Sequence, residues 1–339
     1  MPFPLPALAQ PYGEAPILLE THADPFDYAS ATRTVEHTPL KAARAHWHLC
    51  AIFPHIKDEY WLSVAYGMAE EARRLGVSLS ISETGGYRSV EAQARRLDDC
   101  KGDAAIIGSV SYDSPLILSA IAEVAKRMPV IAAINDVGSP VIAAKVGVSW
   151  SDMGRAVGRY LAEEHPKGSA PRSAVVATGP REAGWVTFLS HGLESELERS
   201  SVTLRETGWA DTGPQEQMEL AEEILGNGKS ADYFIGSAPA AEAVVSLKRI
   251  RDLSPGMSII ATYFTQAVRR GIMRGRIEAA PFDDPTLQGR LSVEYAVRAI
   301  EGNVDHRQIG PSISIATKGS LPPSSALAPA DFDPVFELP

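Results

Sequence analysis

From about residue 46 the chain alternates short apolar runs with longer stretches of helical spacing. "WHLCAIF" leads into "YWLSVAYGMAEEARRLG", where Leu62, Ala65, Met68, Ala72 and Leu75 mark one face and Gly76 closes the helix. "VSLSIS" then precedes "SVEAQARRLDDC", "AAIIGS" precedes "SPLILSAIAEVAKRM", and "PVIAAIN" leads to "KVGVSW". A second series opens with "SDMGRAVGRYLAEEH", with Ser151 or Asp152 as the expected cap, and runs through "SAVVAT", "DYFIGS" and "MSIIATYF". Short apolar strands alternating with helices predict βαβ units and parallel sheets buried on both faces. There are too many units for one sheet, so the pattern predicts two doubly wound lobes divided near Val148–Ser151. Residues 10–44 and 320–339 are Pro-rich and weakly periodic, and are expected to lie on the surface as arms.

Composition narrows the function. The chain has 339 residues, 45% of them hydrophobic and 22% charged, enough apolar material for about two cores. A formal net charge of −10 with no basic cluster argues against a nucleic-acid partner, because phosphate binding needs a basic face. Nothing approaches 18 consecutive apolar residues, so no membrane insertion is expected. In "MPFPLPALAQ", Ala7-Leu8-Ala9 fits the small-residue rule of a signal cleavage site, although a Pro-rich disordered end reads equally well. The two cysteines, Cys50 and Cys100, read by default as buried thiols, with a disulfide as the alternative.

Catalytic and metal signatures are weak. "GNGKS" (Gly226–Ser230) lacks the first glycine of a phosphate loop, with Glu223 in its place, and it ends a helix instead of opening one. His46 and His48 have no third ligand at a recognisable spacing. The acid pairs Asp98-Asp99 and Asp283-Asp284 suit caps and solvated faces better than paired-acid catalysis. No nucleophile with a visible base is present, so no enzyme is expected.

Aromatic residues are more informative. They make up only 7% of the chain, yet several fall at the carboxyl ends of predicted strands, where wound sheets meet ligands. Tyr60 and Trp61 follow the first strand, Tyr87 the second and Tyr112 the third, while Trp150 follows "KVGVS" and Tyr263-Phe264 follow "MSIIAT". Each alone reads as core; together they predict a shared cleft. Ring faces attract methylated, positively charged nitrogen by roughly 0.5–2 kcal/mol each when water is excluded. A sugar remains an alternative, with Asn135, Asp136, Asp113 and Asp283 available for hydroxyls.

Two wound lobes and the late segment "APFDDPTLQGRLSVEYAVRAI" resemble the type I periplasmic binding proteins, with Gln288-Gly289 opening the returning helix and Val293 and Ala296 facing inward. Within that class, "PLKAARAHWHLCAIFPHIKDEYWLSVAYGMAEEARRLGV", "GGY", "VGVSWSDMGRAVGRYL" and "RRGIMRGRIEAA" are similar to the TorT-type family of trimethylamine N-oxide (TMAO) sensors. The resemblance covers roughly residues 38–318. It implies two doubly wound α/β lobes joined by a multi-strand hinge. The boundaries would be a signal remnant and arm over 1–44, a first lobe of 45–148 plus 282–305, a second of 149–281 plus 306–318, and a tail over 319–339. It further implies a periplasmic location, a TMAO-like methylated amine as ligand, and the periplasmic domain of a TorS-type sensor histidine kinase as partner. Neither cofactor nor metal is implied. The family's ligand-caging rings fall on Tyr60, Trp61, Tyr87, Trp150 and Tyr263, and its paired cysteines on Cys50 and Cys100. One loop departs: "GPREAGW" differs from the family's Gly/Asn-rich version and adds Trp185 near the cleft. The runner-up reading is a transport component that carries a sugar or another small solute to an ABC permease.

Overall fold

A computed structural model describes residues 12–13, 15–23, 26–27, 30–226, 231–251 and 256–339. The proposed signal remnant and Asn227–Ser230 of "GNGKS" lie outside the described residues. An antiparallel hairpin of β1 (Ile17–His22) and β2 (Thr32–His37) comes first. The first lobe takes β3 (His48–Phe53), α1 (Glu59–Leu75), β4 (Ser78–Glu83), α2 (Val90–Asp99), β5 (Ala104–Ile107), α3 (Pro115–Val124), β6 (Val130–Ala133) and β7 (Ala144–Val146). The second takes α4 (Trp150–Glu164), β8 (Arg172–Thr178), α5 (Gly184–Leu197), β9 (Val202–Trp209) and α6 (Pro214–Leu225). It continues through β10 (Tyr233–Gly236), α7 (Ala238–Arg251), β11 (Ser258–Ala261), α8 (Gln266–Met273) and β12 (Ala279–Phe282). The chain then returns through α9 (Pro285–Ile300) and β13 (Gln308–Ile309), adds β14 (Ser314–Thr317) to the second lobe, and ends in β15 (Glu337–Leu338) on the first.

Among the described residues the first sheet runs β13-β7-β6-β5-β3-β4-β15 and the second β14-β12-β11-β10-β8-β9. Both are parallel except at the edges, where β15 pairs antiparallel with β4 and β14 with β12. Order reverses beside the first strand of each lobe, between β3 and β5 and between β8 and β10, and wound folds gather ligands at such points. The lobes exchange chain at Gly147–Ser149, at Asp283–Asp284 and between β13 and β14, which together form the hinge.

Several expectations are corrected. Gln308–Ile309, assigned by sequence to the second lobe, pair with β7 in the first sheet. The N-terminal arm docks on that hinge strand, because Glu20 and Gly310 exchange both backbone hydrogen bonds and the Thr21 hydroxyl donates to the Gln308 carbonyl. The tail supplies an edge strand. Ser149, and neither Ser151 nor Asp152, caps α4, its hydroxyl oxygen accepting from the Asp152 N–H at 3.1 Å. Pro285 opens α9, three residues ahead of Gln288. Leu62 is only half-buried, whereas Trp61, Val64, Ala65, Met68, Ala72 and Leu75 are buried. The physical reason is that α1 is covered twice, by the sheet and by α9. A Cβ on Gly289 would lie 2.2 Å from the Val64 carbonyl oxygen and one on Gly67 2.0 Å from that of Thr286, so the two helices cross in direct backbone contact.

Cys50 and Cys100 form a disulfide that ties β3 to the end of α2 across a sequence separation of 50. Closing a loop of that length restricts the unfolded chain by about 4 kcal/mol. Among the described residues no helix is long and apolar enough to cross a membrane.

Candidate ligand-binding site

Asp58 starts the site. It caps α1, its Oδ1 accepting from the Tyr60 N–H at 3.0 Å, and so fixes the first helical turn beyond β3. Tyr60 and Trp61 are the second and third residues of that helix, inside it and not before it. Tyr87 follows Gly85 and Gly86, whose φ values of 94° and 149° turn the chain after β4. Trp150 is the first residue of α4, immediately past the hinge crossing. Tyr263 follows β11, and Trp185 is the second residue of α5.

All five rings expected from sequence come together, and Trp185 joins them. Each is only 2–6% exposed. Ring centroids lie 5.4 Å apart for Tyr60–Tyr263, 6.4 Å for Tyr60–Trp61 and Tyr60–Trp150, and 6.4 Å for Trp150–Tyr263. Trp185 lies 4.9 Å from Trp150, 6.0 Å from Tyr87 and 6.2 Å from Tyr263. Asp58, Ile134, Asn135 and Thr212 complete a wall around a space of only about 10 Å³, room for a single water, so the rings lie almost in contact and must part to admit a ligand. Tyr112 and Phe264 lie elsewhere: Tyr112 packs edge-on against Phe188 of α5, and Phe264 sits against Phe282 in the core.

The polar edges of the rings are mostly held by the protein. Tyr60 donates to Asp283 Oδ2 at 2.6 Å, and Tyr263 donates to Asp58 Oδ2 at 2.5 Å. Trp61 Nε1 donates to the Tyr87 hydroxyl at 3.3 Å, and Trp150 Nε1 to the Ile134 carbonyl at 3.3 Å. Ile134 has a left-handed φ of 66°, and its carbonyl also accepts from the buried Lys145 ammonium, which lies 3.0 Å from Asp136 Oδ1. Burial raises the Asp58 carboxyl, against the pull of its hydrogen bonds from Tyr263 and the Tyr60 N–H. Burial likewise pushes Asp283 up to about 6. It drives the Tyr60 and Tyr263 hydroxyls well above the usual tyrosine value, so both remain donors. The resulting space is apolar on its faces, with little free charge.

Sequence reasoning passed over Asp58, although an aspartate two residues before an aromatic pair at a helix start is a recognisable cap. Among the described residues no group of three His, Cys, Asp or Glu side chains could hold a metal ion.

The sequence matches the periplasmic binding protein domain family over residues 50–303. The chain belongs to that family. It is 34% identical over 306 residues to periplasmic protein TorT of Escherichia coli K12, covering 88% of this chain and 86% of that one, and so falls in the TorT-type branch. Among solved structures, this periplasmic binding protein resembles an ABC transporter solute binding protein from Bradyrhizobium sp. BTAi1 with bound bis-tris. That pair has a TM-score of 0.81 and 37% identity over 97% of this chain and 100% of the other. It also resembles TorT in complexes with the TorS sensor domain, at 33% identity over 85% of this chain and 99% of the matched one. The TM-score is 0.76 without ligand and 0.75 with TMAO.

Proposed function

We propose that this periplasmic chain is a non-catalytic solute-binding sensor that encloses TMAO or a similar methylated amine between its lobes and signals to the periplasmic domain of a TorS-type sensor histidine kinase. The single observation that carries this reading is the cage, six rings from both lobes around a small space at the strand ends. By the sequence resemblance the family's caging rings would fall on Tyr60, Trp61, Tyr87, Trp150 and Tyr263, and the relatives captured with the TorS sensor domain point to the partner.

Physical argument favours an amine over a sugar. Sugar recognition needs several free polar side chains aimed at hydroxyls. Here Asp283 Oδ2 is engaged by Tyr60 and Gln288, Asp136 is paired with Lys145, and Asp113 is exposed. Asn135 has its amide N–H groups committed to Tyr87 and Ser109, which leaves its Oδ1 as one open acceptor, too few for a sugar. Ring faces remain, and they suit trimethylammonium. Tyr60 and Trp61 belong to the first lobe while Tyr263 and Trp185 belong to the second, so one ligand touching all of them favours the closed form. TMAO has about five heavy atoms, and a ceiling of ~1.5 kcal/mol per atom limits its affinity to about the micromolar range.

Calorimetry against TMAO, choline, betaine and ribose tests the reading. Heat with TMAO and none with ribose is expected; the reverse overturns it. A transport role is the second reading, favoured by the Bradyrhizobium relative named as a transporter component. Ligand-dependent co-purification with a kinase sensor domain separates the two, and an ABC permease as the partner would establish transport.

A further inference from the structure

Three polar features of the cage wall lack a protein partner. Trp185 Nε1 is buried with no hydrogen bond, and so is Asn135 Oδ1. The Tyr87 hydroxyl accepts from Trp61 Nε1 at 3.3 Å and from Asn135 Nδ2 at 3.2 Å. That amide orientation is fixed by the second Asn135 Nδ2 bond, 2.9 Å to the Ser109 carbonyl, so Asn135 does not accept the Tyr87 proton. Both lone-pair sites of the Tyr87 oxygen are therefore used, and its own hydrogen has no acceptor among the described residues. The other ring donors on the wall are committed, Tyr60 to Asp283, Tyr263 to Asp58, Trp61 to Tyr87 and Trp150 to Ile134, and the Thr212 hydroxyl is bonded to His55 Nε2 at 3.0 Å. Two donors are left over, an indole N–H and a phenol O–H. They belong to neighbouring rings of the cage wall, whose centroids lie 6.0 Å apart. Asn135 Oδ1 is an acceptor and cannot receive an anionic oxygen.

Buried donors are nearly always satisfied, and one left open in a ligand cavity marks where a ligand acceptor goes. We propose that the Trp185 N–H and the Tyr87 O–H form an oxygen-recognising end of the cage, which makes the site select methylated amines that carry an anionic oxygen over methylated ammonium ions that lack one. This rests on the methylated-amine reading above and names the part of the ligand that reading leaves open. The remaining rings serve the methyl groups, and these two donors serve the oxygen. Tyr87 stands on the first lobe and Trp185 on the second, so an oxygen that accepts from both ties the lobes together. Trp185 lies in the first turn of α5, whose cap residue Ala183 offers no side-chain acceptor, leaving the positive end of the helix dipole on the same side. A quaternary ammonium of the same size fills the cage without bridging it.

The test uses the full chain, its Trp185→Phe variant, and two probes of equal heavy-atom count, TMAO and tetramethylammonium. Calorimetry of the wild type is expected to favour TMAO at least tenfold. In Trp185→Phe, TMAO should weaken at least tenfold while tetramethylammonium changes less than threefold, with a thermal melt confirming that the variant is folded. Where tetramethylammonium is too weak to detect on the wild type, the first expectation is met, and the TMAO loss in the folded variant decides the second. Should Trp185→Phe not fold, Tyr87→Phe carries the same expectations. Unchanged TMAO affinity in the variant, equal losses for both probes, or a wild-type preference for tetramethylammonium would overturn the inference while leaving the cage reading intact. A wild type that binds neither probe overturns the cage reading itself.

Discussion

Tyr263, on the second lobe, donates its hydroxyl hydrogen to Asp58, on the first, at 2.5 Å inside the aromatic wall. The same carboxyl caps α1 through its other oxygen, so one side chain sets both the first-lobe rings and the contact across the cleft. Tyr263→Phe leaves Asp58 Oδ2 buried without its donor, a loss of about 1–3 kcal/mol. TMAO affinity should fall about tenfold. A double-mutant cycle with Asp58→Asn should give a coupling of about 0.5–3 kcal/mol; additive losses would show that the pair does not join the lobes.

Closure also brings carboxylates together. Arg270 of α8 lies 3.4 Å from Glu59 of α1 and 3.9 Å from Glu242 of α7. Burial first, and then the charge of Glu59, push Glu242 from 4.5 up to about 7. Hinge opening would carry Glu59 and its helix away from Glu242, so the raised carboxyl would bind protons more readily in this form than in an open one. The contribution to closure is thus fully present below about pH 4.5 and is lost as pH rises from there through about 7. The dissociation constant for TMAO should increase about two- to fivefold between pH 6 and 8, and Glu242→Gln should flatten that slope. Asp283 and Asp284, at about 6 and about 7, sit on the hinge and titrate with the same sign, so the difference between wild type and variant is the quantity to read.

Gly108 sets the depth of Trp61. A Cβ there would lie 2.4 Å from Trp61 Cη2, too close for any side chain. Gly108→Ala should push the indole into the ligand space, costing about 1–3 kcal/mol of stability and most of the TMAO affinity. A variant that melts lower yet binds normally would make Trp61 a core residue only.

The Cys50–Cys100 disulfide predicts the opposite pattern. Cys50 lies three residues before the end of β3, about 10 Å down the strand from the cage end. Replacing both cysteines by serine should lower stability by up to about 4 kcal/mol in denaturant titrations and leave TMAO affinity within about twofold. A large affinity loss would mean that the cross-link sets cage geometry.

Much of this was legible in the chain. Buried parallel strands read as short apolar runs, so "AAIIGS" and "DYFIGS" identified themselves, and the five rings could be placed because each follows such a run. Edge pairing was not legible. β1, β13 and β15 are defined by what they meet across space, and no local pattern records that partner. Leu62 misled because helical spacing marks one buried face, while α9 buries a second. Trp185 did carry a signal: it is the second residue of the helix after the first strand of its lobe, as Tyr60 is in the other. The Trp185 N–H could not be found unpaired until the partners of its neighbours were known.

The most direct measurement is a crystal structure of the TMAO complex. The account predicts the trimethylammonium group in van der Waals contact with Tyr60, Trp61, Trp150 and Tyr263, and the oxygen within hydrogen-bond reach of Trp185 Nε1 and the Tyr87 hydroxyl. A complex with the ligand outside this cage, or with the six rings still packed against one another and no ligand between them, would contradict it.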